Sequence, residues 1–346
     1  MTNPAITQKE EWTRYLNKSF TYDSCHTWHY HSLSKIGDPL LFVYHEQDDF
    51  IAVPLLKRVI KGTDLFDLTA VYGYSGPISN KPFDTVQKET MLGFEYSLRK
   101  FMKAERCICV FSRLNPFIRQ YPQLEKIGSV CYNGKTIYMD LRQSLDEQRA
   151  AYNKRLLRQV RRLRKENYEI KEQKSQDEIG VFARMYKENM DRLSASKDYY
   201  FDEDYFSQML RTAEFKSKLL LVYHGEEMIC GALVICSMNV IRNHLSATNK
   251  DYLKQSPSKL LTDEISILGR NMGMQYFHLG GGVGGKEDSL FAFKASFSNS
   301  YLDDHLWCLI ADQEAYTCLV DKENISNDTG FFPLYRTAST YSSLYQ

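Results

Sequence analysis

An α/β chain of the α+β kind, folded as two tandem lobes that each hold a mixed, mostly antiparallel sheet flanked by helices, is the class this sequence predicts. Three observations carry the prediction. At 346 residues the chain exceeds one comfortable core and fits two domains of ordinary size. A hairpin, strand, helix and strand series can be read from residue 40 to 111, and a similar series from 219 to 279. Hydrophobic residues make up 43% and aromatic residues 13% of the chain, enough to build packed cores rather than a disordered segment.

The elements follow in order. A polar helix over 8–18 precedes strands over 40–46 and 50–59, joined at a Gln-Asp-Asp turn. Next come a strand over 64–71, the loop YGYSGPI at 72–78, a helix over 83–104 and a strand over 107–111. Residues 136–141 read as a strand leading into one helix over 145–167, with Asp146 and Glu147 in its first turn and basic residues crowding its end, as the helix dipole prefers. From 219 the pattern alternates between β-rich runs around a Gly-Glu-Glu turn and reaches a polar elbow at 244–249. Ser256 and Pro257 then mark a helix entry, Ser as a capping oxygen and Pro where no N–H is needed. That helix carries Leu260, Leu261, Ile265 and Leu268 on one face and stops near Gly273. A strand over 275–279 runs into Gly280, Gly281, Gly282, Gly284 and Gly285, followed by the FK-x-x-F element, a strand over 305–310 and a loop over 329–336. The last ten residues, rich in Ser, Thr and Tyr, are expected to be mobile.

Composition sets limits on function. Lys plus Arg (44) nearly equals Asp plus Glu (43), so the net charge of +1 supplies no overall pull toward nucleic acid or anionic membrane, and such a partner needs a local patch. The eight cysteines form no C-x-x-C pair or metal-ligand spacing, which reads as reduced core thiols in a cytosolic protein, with no metal. The N-terminal MTNPAITQKEEW has acids where a signal peptide has its apolar core, and no apolar run approaches the roughly 20 residues that span a bilayer. A cytoplasmic protein is expected, without stable membrane insertion but able to work peripherally at the inner membrane surface.

The words YGYSGPI, SRLNP at 112–116, GKTIYMDL at 134–141, YNKRLLRQVRRLRKENYEI at 152–170, HLSATN at 244–249, SPSKLL at 256–261, YFHLGGG and FAFKASF occur in an order that resembles the GNAT acyltransferase fold. More narrowly it resembles the two-lobed Fem family of peptidoglycan aminoacyltransferases and FemAB-like acetyltransferase domain proteins. The resemblance implies two GNAT-like lobes: residues 1–143, completed by 311–346, and residues 144–310, carrying the donor site. No sustained heptad is present, so the coiled-coil arm of some Fem members is expected to be absent. The implied activity is acyl or aminoacyl transfer to an amino group of a cell-envelope precursor, either a peptidoglycan precursor peptide or an amino sugar. The donor is aminoacyl-tRNA or acyl-CoA, and the acceptor is nucleotide- or lipid-linked.

The candidate residues fall into six places. On a helix, KRLLRQVRRLRK at 154–165 sets Arg155, Arg158, Arg162 and Lys165 on a stripe apart from the leucines. That stripe is either a solvated face or a phosphate-binding ridge, with Arg155 and Arg158 nearest the cleft. In the elbow, strand alternation puts His244, Ser246 and Thr248 on one face, with Asn249 following. His244 is either a satisfied structural residue or a base for the attacking amine. Ser256, Ser258 and Lys259 open a helix whose amides can hold an anion. Asp288 follows the glycines, as a solvated acid or a base. Family position puts Phe293 and Phe297 against the donor and Lys294 where an oxyanion develops; otherwise Lys294 is an exposed lysine between core aromatics. Tyr72 and Tyr74 in YGYSGPI either pack or line the acceptor pocket.

One departure bears on the donor. Acetyl-CoA enzymes of this fold present a Gln/Arg-x-x-Gly-x-Gly/Ala turn at the corresponding helix start, whereas YLKQSPSKLL has no glycine there. This favours aminoacyl transfer. Two rival readings stand: an acyl-CoA-dependent N-acetyltransferase, and a non-catalytic phosphate or nucleic-acid binding module.

Overall fold

The computed structural model describes residues 5–322 and 331–337. The chain divides into two compact units, one reaching Asn133 and resuming at Asp303, the other Gly134–Leu302.

In the first unit, helix α1 (Lys9–Lys18) buries Trp12 and Leu16, one turn apart, and α2 (Trp28–Ser32) follows. Strands β1 (Asp38–Glu46) and β2 (Asp49–Val59) form the expected hairpin. Strand β3 (Phe66–Thr69) lies antiparallel to β2, and the short β4 (Ile78–Ser79) also pairs with β2. Helix α3 (Lys88–Ala104) buries Met91, Phe94, Leu98 and Phe101 at helical spacing. It serves as the crossover that a parallel pair requires, because β5 (Cys107–Arg113) runs parallel to β3. The helix read over 83–104 begins with a separate 3₁₀ turn, Phe83–Thr85, because Val86 and Gln87 take extended backbone angles. After α4 (Tyr121–Leu124) the chain enters β6 (Ser129–Asp140), and it returns from the second unit along β12 (Ser300–Ile310), which pairs antiparallel with β5, before α11 (Gln313–Lys322). A 3₁₀ turn at Leu334–Arg336 ends the described chain, so the mobility expected of the last ten residues lies outside the described residues.

The sheet of the second unit is built from β6, β7 (Tyr168–Glu172), β8 (Lys216–His224), β9 (Glu227–Ser237), β10 (Val240–Thr248) and β11 (Tyr276–Gly280), in the order β6-β11-β10-β9-β8-β7. All neighbours are antiparallel except β10 and β11.

The helix read over 145–167 is two helices, α5 (Leu145–Ala150) and α6 (Lys154–Leu163). Asn153 breaks it. Its side chain caps the Leu156 N–H, and its own N–H donates to the Ser296 carbonyl at 2.9 Å, which starts a new helix in a new direction. Helices α7 (Gln176–Arg192) and α8 (Glu203–Arg211) have no counterpart in the sequence reading, although a Ser175–Glu178 capping box and an Asp202 N-cap announce them. Neither α3 nor α7 exceeds 17 residues, and no coiled-coil arm is present among the described residues.

Helices α6, α9 (Ser258–Asn271) and α10 (Ser289–Ala295) pack Leu156, Val160, Leu261, Ile265 and Phe291 against one face of the sheet, where Ile241, Phe277 and Leu279 meet them. Helix α7 covers the other face, and Phe182 lies so close to Gly231 that a side chain there would collide with it.

Candidate active site

Parallel pairing between β10 and β11 lasts three residues, Val240↔Tyr276 to Arg242↔His278. Beyond it β10 continues to Thr248 on β9 alone, while β11 continues on β6 to Gly280. The two strands therefore part, and a parting strand pair leaves backbone groups that a ligand can use. Helix α9 starts beside this opening with no side chain capping it. Ser256, just before it, holds a left-handed backbone (φ 58), uncommon for a residue with a side chain, and its hydroxyl donates to the Leu253 carbonyl.

Cations converge on that helix start. The Lys259 ammonium donates to Gln159 Oε1 of α6 at 2.6 Å. Burial, and then the charges of Arg155 and Arg162, hold its pKa below the usual lysine range. Mutual repulsion of this kind is relieved by an anion. Arg155, Arg158 and Arg162 are all exposed.

A buried network fixes α5 and α6 to α9. Asp263 of α9, with no exposed surface, accepts from the Arg149 and Arg164 guanidinium groups at 2.7 and 2.6 Å and from Tyr152 Oη at 2.8 Å. Gln148 Nε2 donates to Tyr152 Oη and to Ser266 Oγ. Burial pushes the Asp263 carboxyl up, yet these donors outweigh it and hold the group below the usual carboxylate range. The sequence stripe that suggested a phosphate ridge thus has a second, structural edge.

The glycine loop folds tightly on itself. Gly280, Gly284 and Gly285 have positive φ, and a side chain at Gly282 would strike the Lys286 carbonyl and Asp288. Asp288 caps α10 through the Phe291 N–H at 2.9 Å and accepts from the Val283 N–H at 3.0 Å. Although burial opposes it, these backbone donors and the Lys294 charge leave its carboxyl below the usual range, which makes it a poor proton acceptor. The Lys294 ammonium donates to the Gly281 carbonyl at 2.5 Å, so the lysine holds the loop while carrying charge to the end of β11. Phe297 is fully buried against Tyr152 and Phe293 and offers no surface to a ligand, in contrast to the donor contact expected of it; Phe293 is half-buried.

The alternation expected of the elbow fails. A β-bulge between Asn243 and Leu245 inserts His244 as an extra residue, which reverses the faces that follow it. Ser246 and Thr248 pair with Ala232 and Cys230, members of the α9-side core, whereas His244 is buried toward α8, its Nε2 2.8 Å from Tyr205 Oη. Asn249 is used as a turn cap, bonded to the Asp251 N–H and to Glu227. Tyr205 lies in a stretch to which the sequence reading gave no element.

In the first unit, Tyr74 is buried with the Arg113 guanidinium 4.3 Å from its ring centre, and Tyr72 is 40% exposed, its carbonyl accepting from Tyr30 Oη at 2.8 Å. Among the described residues no group of His, Cys, Asp and Glu could hold a metal ion, and no helix is long and apolar enough to cross a membrane.

This geometry, two units of mixed strands of which one opens at a parallel pair beside an uncapped helix, is that of the GNAT fold, and residues 150–294 match the family model for an acetyltransferase (GNAT) domain. Among solved structures the chain is similar to FemX, with 12% identity and a TM-score of 0.69 over 90% of this chain and 98% of that one. It is also similar to L-PGS from Bacillus licheniformis (13%, TM-score 0.60, 90% and 95%). A third is a C-terminal domain assigned to lysylphosphatidylglycerol synthetase from Agrobacterium fabrum (14%, TM-score 0.56, 91% and 96%). No curated protein matches the chain. The fold resemblance read from the sequence is thus shown, and the chemistry rests on the residues.

Proposed function

We infer that the chain is an acyltransferase whose second unit holds an ester or thioester donor in the opening between β10 and β11, with the donor's phosphates on Arg155, Arg158, Lys259 and the start of α9. The observation that carries this reading is the convergence of Arg155, Arg162 and Lys259 on an uncapped helix beside a parted strand pair. The amino group of a cell-envelope precursor, on a peptidoglycan precursor peptide or an amino sugar, attacks the donor carbonyl directly. Lys294, Ser246, Ser256 and Ser258 are the polar groups at hand to position the donor and stabilise the oxyanion. No covalent enzyme intermediate is needed.

Aminoacyl-tRNA is the donor we favour. The four arginines and two lysines of 154–162 and 259 exceed what one pyrophosphate requires, and they suit a polyanion. Fold likeness to FemX and to a domain assigned to lysylphosphatidylglycerol synthetase supports the same choice. Acyl-CoA is the second reading, favoured by the match of residues 150–294 to the acetyltransferase domain model.

The test offers the protein bulk aminoacyl-tRNA or acetyl-CoA together with a UDP-linked muropeptide or a UDP-amino sugar, and mass spectrometry follows the acceptor. An added aminoacyl mass is the expected product, and an acetyl mass selects the second reading. Binding of bulk tRNA should weaken steeply between about 50 and 200 mM salt, and Arg155→Ala/Arg162→Ala should reduce the logarithmic salt slope by roughly two. Salt-insensitive tRNA binding together with no modified acceptor would sink the proposal.

A further inference from the structure

We propose that Tyr205 and His244 form a proton relay that takes the proton released by the attacking amine, with Tyr205 as the group that meets the substrate and His244 as the residue behind it. The inference rests on the acyl-transfer reading and names a proton path that the reading leaves open.

The sheet has two faces beside the opening, and they differ in lining. Ile241, Phe277 and Leu279 point into the core under α6, α9 and α10. That face is filled by apolar side chains, whereas the face under α7 and α8 carries polar ones beside the opening, and it is from there that an amine would reach a carbonyl held between β10 and β11. Alternation turns Arg242 and His278, which face each other in the strand register, to that other face, and the bulge adds His244. An apolar wall is the ordinary filling between sheet and helix; here three buried basic side chains share the face with Leu233, Ile235 and Leu245.

At His244 a hydroxyl from a helix comes within hydrogen-bond distance. Tyr205 Oη lies 2.8 Å from Nε2, and both side chains are buried. Their geometry is fixed from several sides. Phe201 lies against the Tyr205 ring at 4.3 Å and 6.4 Å from the His244 ring. Asp202 caps the Tyr205 N–H at 2.9 Å, which sets where the first turn of α8 begins. The titratable and charged neighbours are Arg242 and His278 on the sheet, Asp202 at the start of α8 and Tyr186 of α7, whose ring packs on Phe201.

A buried phenol bonded to an imidazole can pass a proton on while staying neutral itself, the positive charge resting for the moment on the imidazole. As the amine nitrogen bonds to the carbonyl carbon, its proton passes to Tyr205 Oη while the phenol proton passes to His244 Nε2. When the bond from carbon to the departing oxygen or sulfur breaks, the same path returns the proton to the leaving group. The relay ends as it began, and no oxidant or metal is needed.

The test uses the full chain with the donor and acceptor pair that the mass-spectrometric assay identifies. Tyr205→Phe keeps the ring packing and removes the hydroxyl. Turnover at saturating substrate should fall by about two orders of magnitude or more, with KM for both substrates within about threefold and the acidic limb of the kcat/KM profile, where the relay histidine protonates, lost. His244→Gln, which keeps an acceptor for the phenol but cannot carry the proton, should show the same lost limb. Salt-dependent tRNA binding and circular dichroism unchanged in Tyr205→Phe exclude misfolding as the cause. If wild-type turnover persists in Tyr205→Phe with its pH profile intact, the relay is wrong and the acyl-transfer reading survives; if the wild type transfers nothing from any pair, that reading falls and the relay with it.

Discussion

Each of the two units buries an aspartate completely and holds it with two arginines and a tyrosine hydroxyl, yet the device serves different ends. In the first unit Asp67, on β3, accepts from Arg58, Arg336 and Tyr335 Oη, which fastens the segment 331–337 to the sheet. In the second, Asp263 accepts from Arg149, Arg164 and Tyr152 Oη and so fastens α5 and α6 to α9. The parallel strand pairs diverge in the same way. Along β5 the loop YGYSGPI continues the pairing of β3, with the Ala70 N–H on the Phe111 carbonyl and the Ser75 N–H on the Arg113 carbonyl, so the first unit's pair is zipped shut. Along β11 no strand replaces β10 after Arg242 among the described residues. One architecture thus yields a closed strand pair and an open one, and the open one lies beside the cations.

The largest effect that could break this comparison comes from the aspartates. Asp67→Asn and Asp263→Asn should each cost roughly 3 kcal/mol, the low end for breaking a buried ion pair, because the arginines keep partial access to water. Urea unfolding measures the loss. The comparison predicts that Asp67→Asn leaves tRNA binding per folded molecule unchanged while Asp263→Asn weakens it, since only the second aspartate fixes the arginine helix. Equal binding in both variants would make the distinction between the units meaningless.

A smaller, pH-dependent effect is expected in the first unit. His31 is fully buried, its Nδ1 3.0 Å from the Thr27 carbonyl, and burial first of all, with His26 adding to it, lowers its pKa to about 3. The unfolded chain binds this proton near 6.5, so stability is complete above that pH and drains away as pH falls from 6.5 toward 3. About 2 kcal/mol should be lost between pH 7 and 5, and His31→Gln should flatten that slope in urea titrations at the two pH values. An unchanged slope would remove His31 as the cause.

The smallest expected effect sharpens the account of the helix break. Asn153→Ala should cost about 1 kcal/mol by removing the cap of α6. Thermal unfolding gives the loss, and tRNA titration should show a modest weakening, because the cap sets where Arg155 begins.

Much of the fold was legible because it is written in local periodicity. The hairpins at 47–48 and 225–226, the α9 run of Leu260, Leu261 and Ile265, and the strand before the glycines all depend on residues within a few positions of one another. The α5–α6 break was legible in principle too, since Asn153 is a strong cap, but the helical pattern running through it masked the signal. For α7 and α8 the signal was present and unread: capping residues precede apolar spacing such as Ile179, Phe182, Ala183 and Tyr186.

By itself the sequence determined the class of sheet, the order of elements, the arginine stripe and the glycine loop, because propensity, periodicity and charge spacing act over one or two turns of chain. Tertiary structure alone decided what those residues do. Tyr205 meets His244 across 39 positions and Tyr152 meets Asp263 across 111. The face on which His244 ends depends on a bulge in the register of β10 against β9. Such pairings are chosen by how whole sheets and helices bury their apolar faces together, and the hydrogen bonds they complete have no local pattern to announce them.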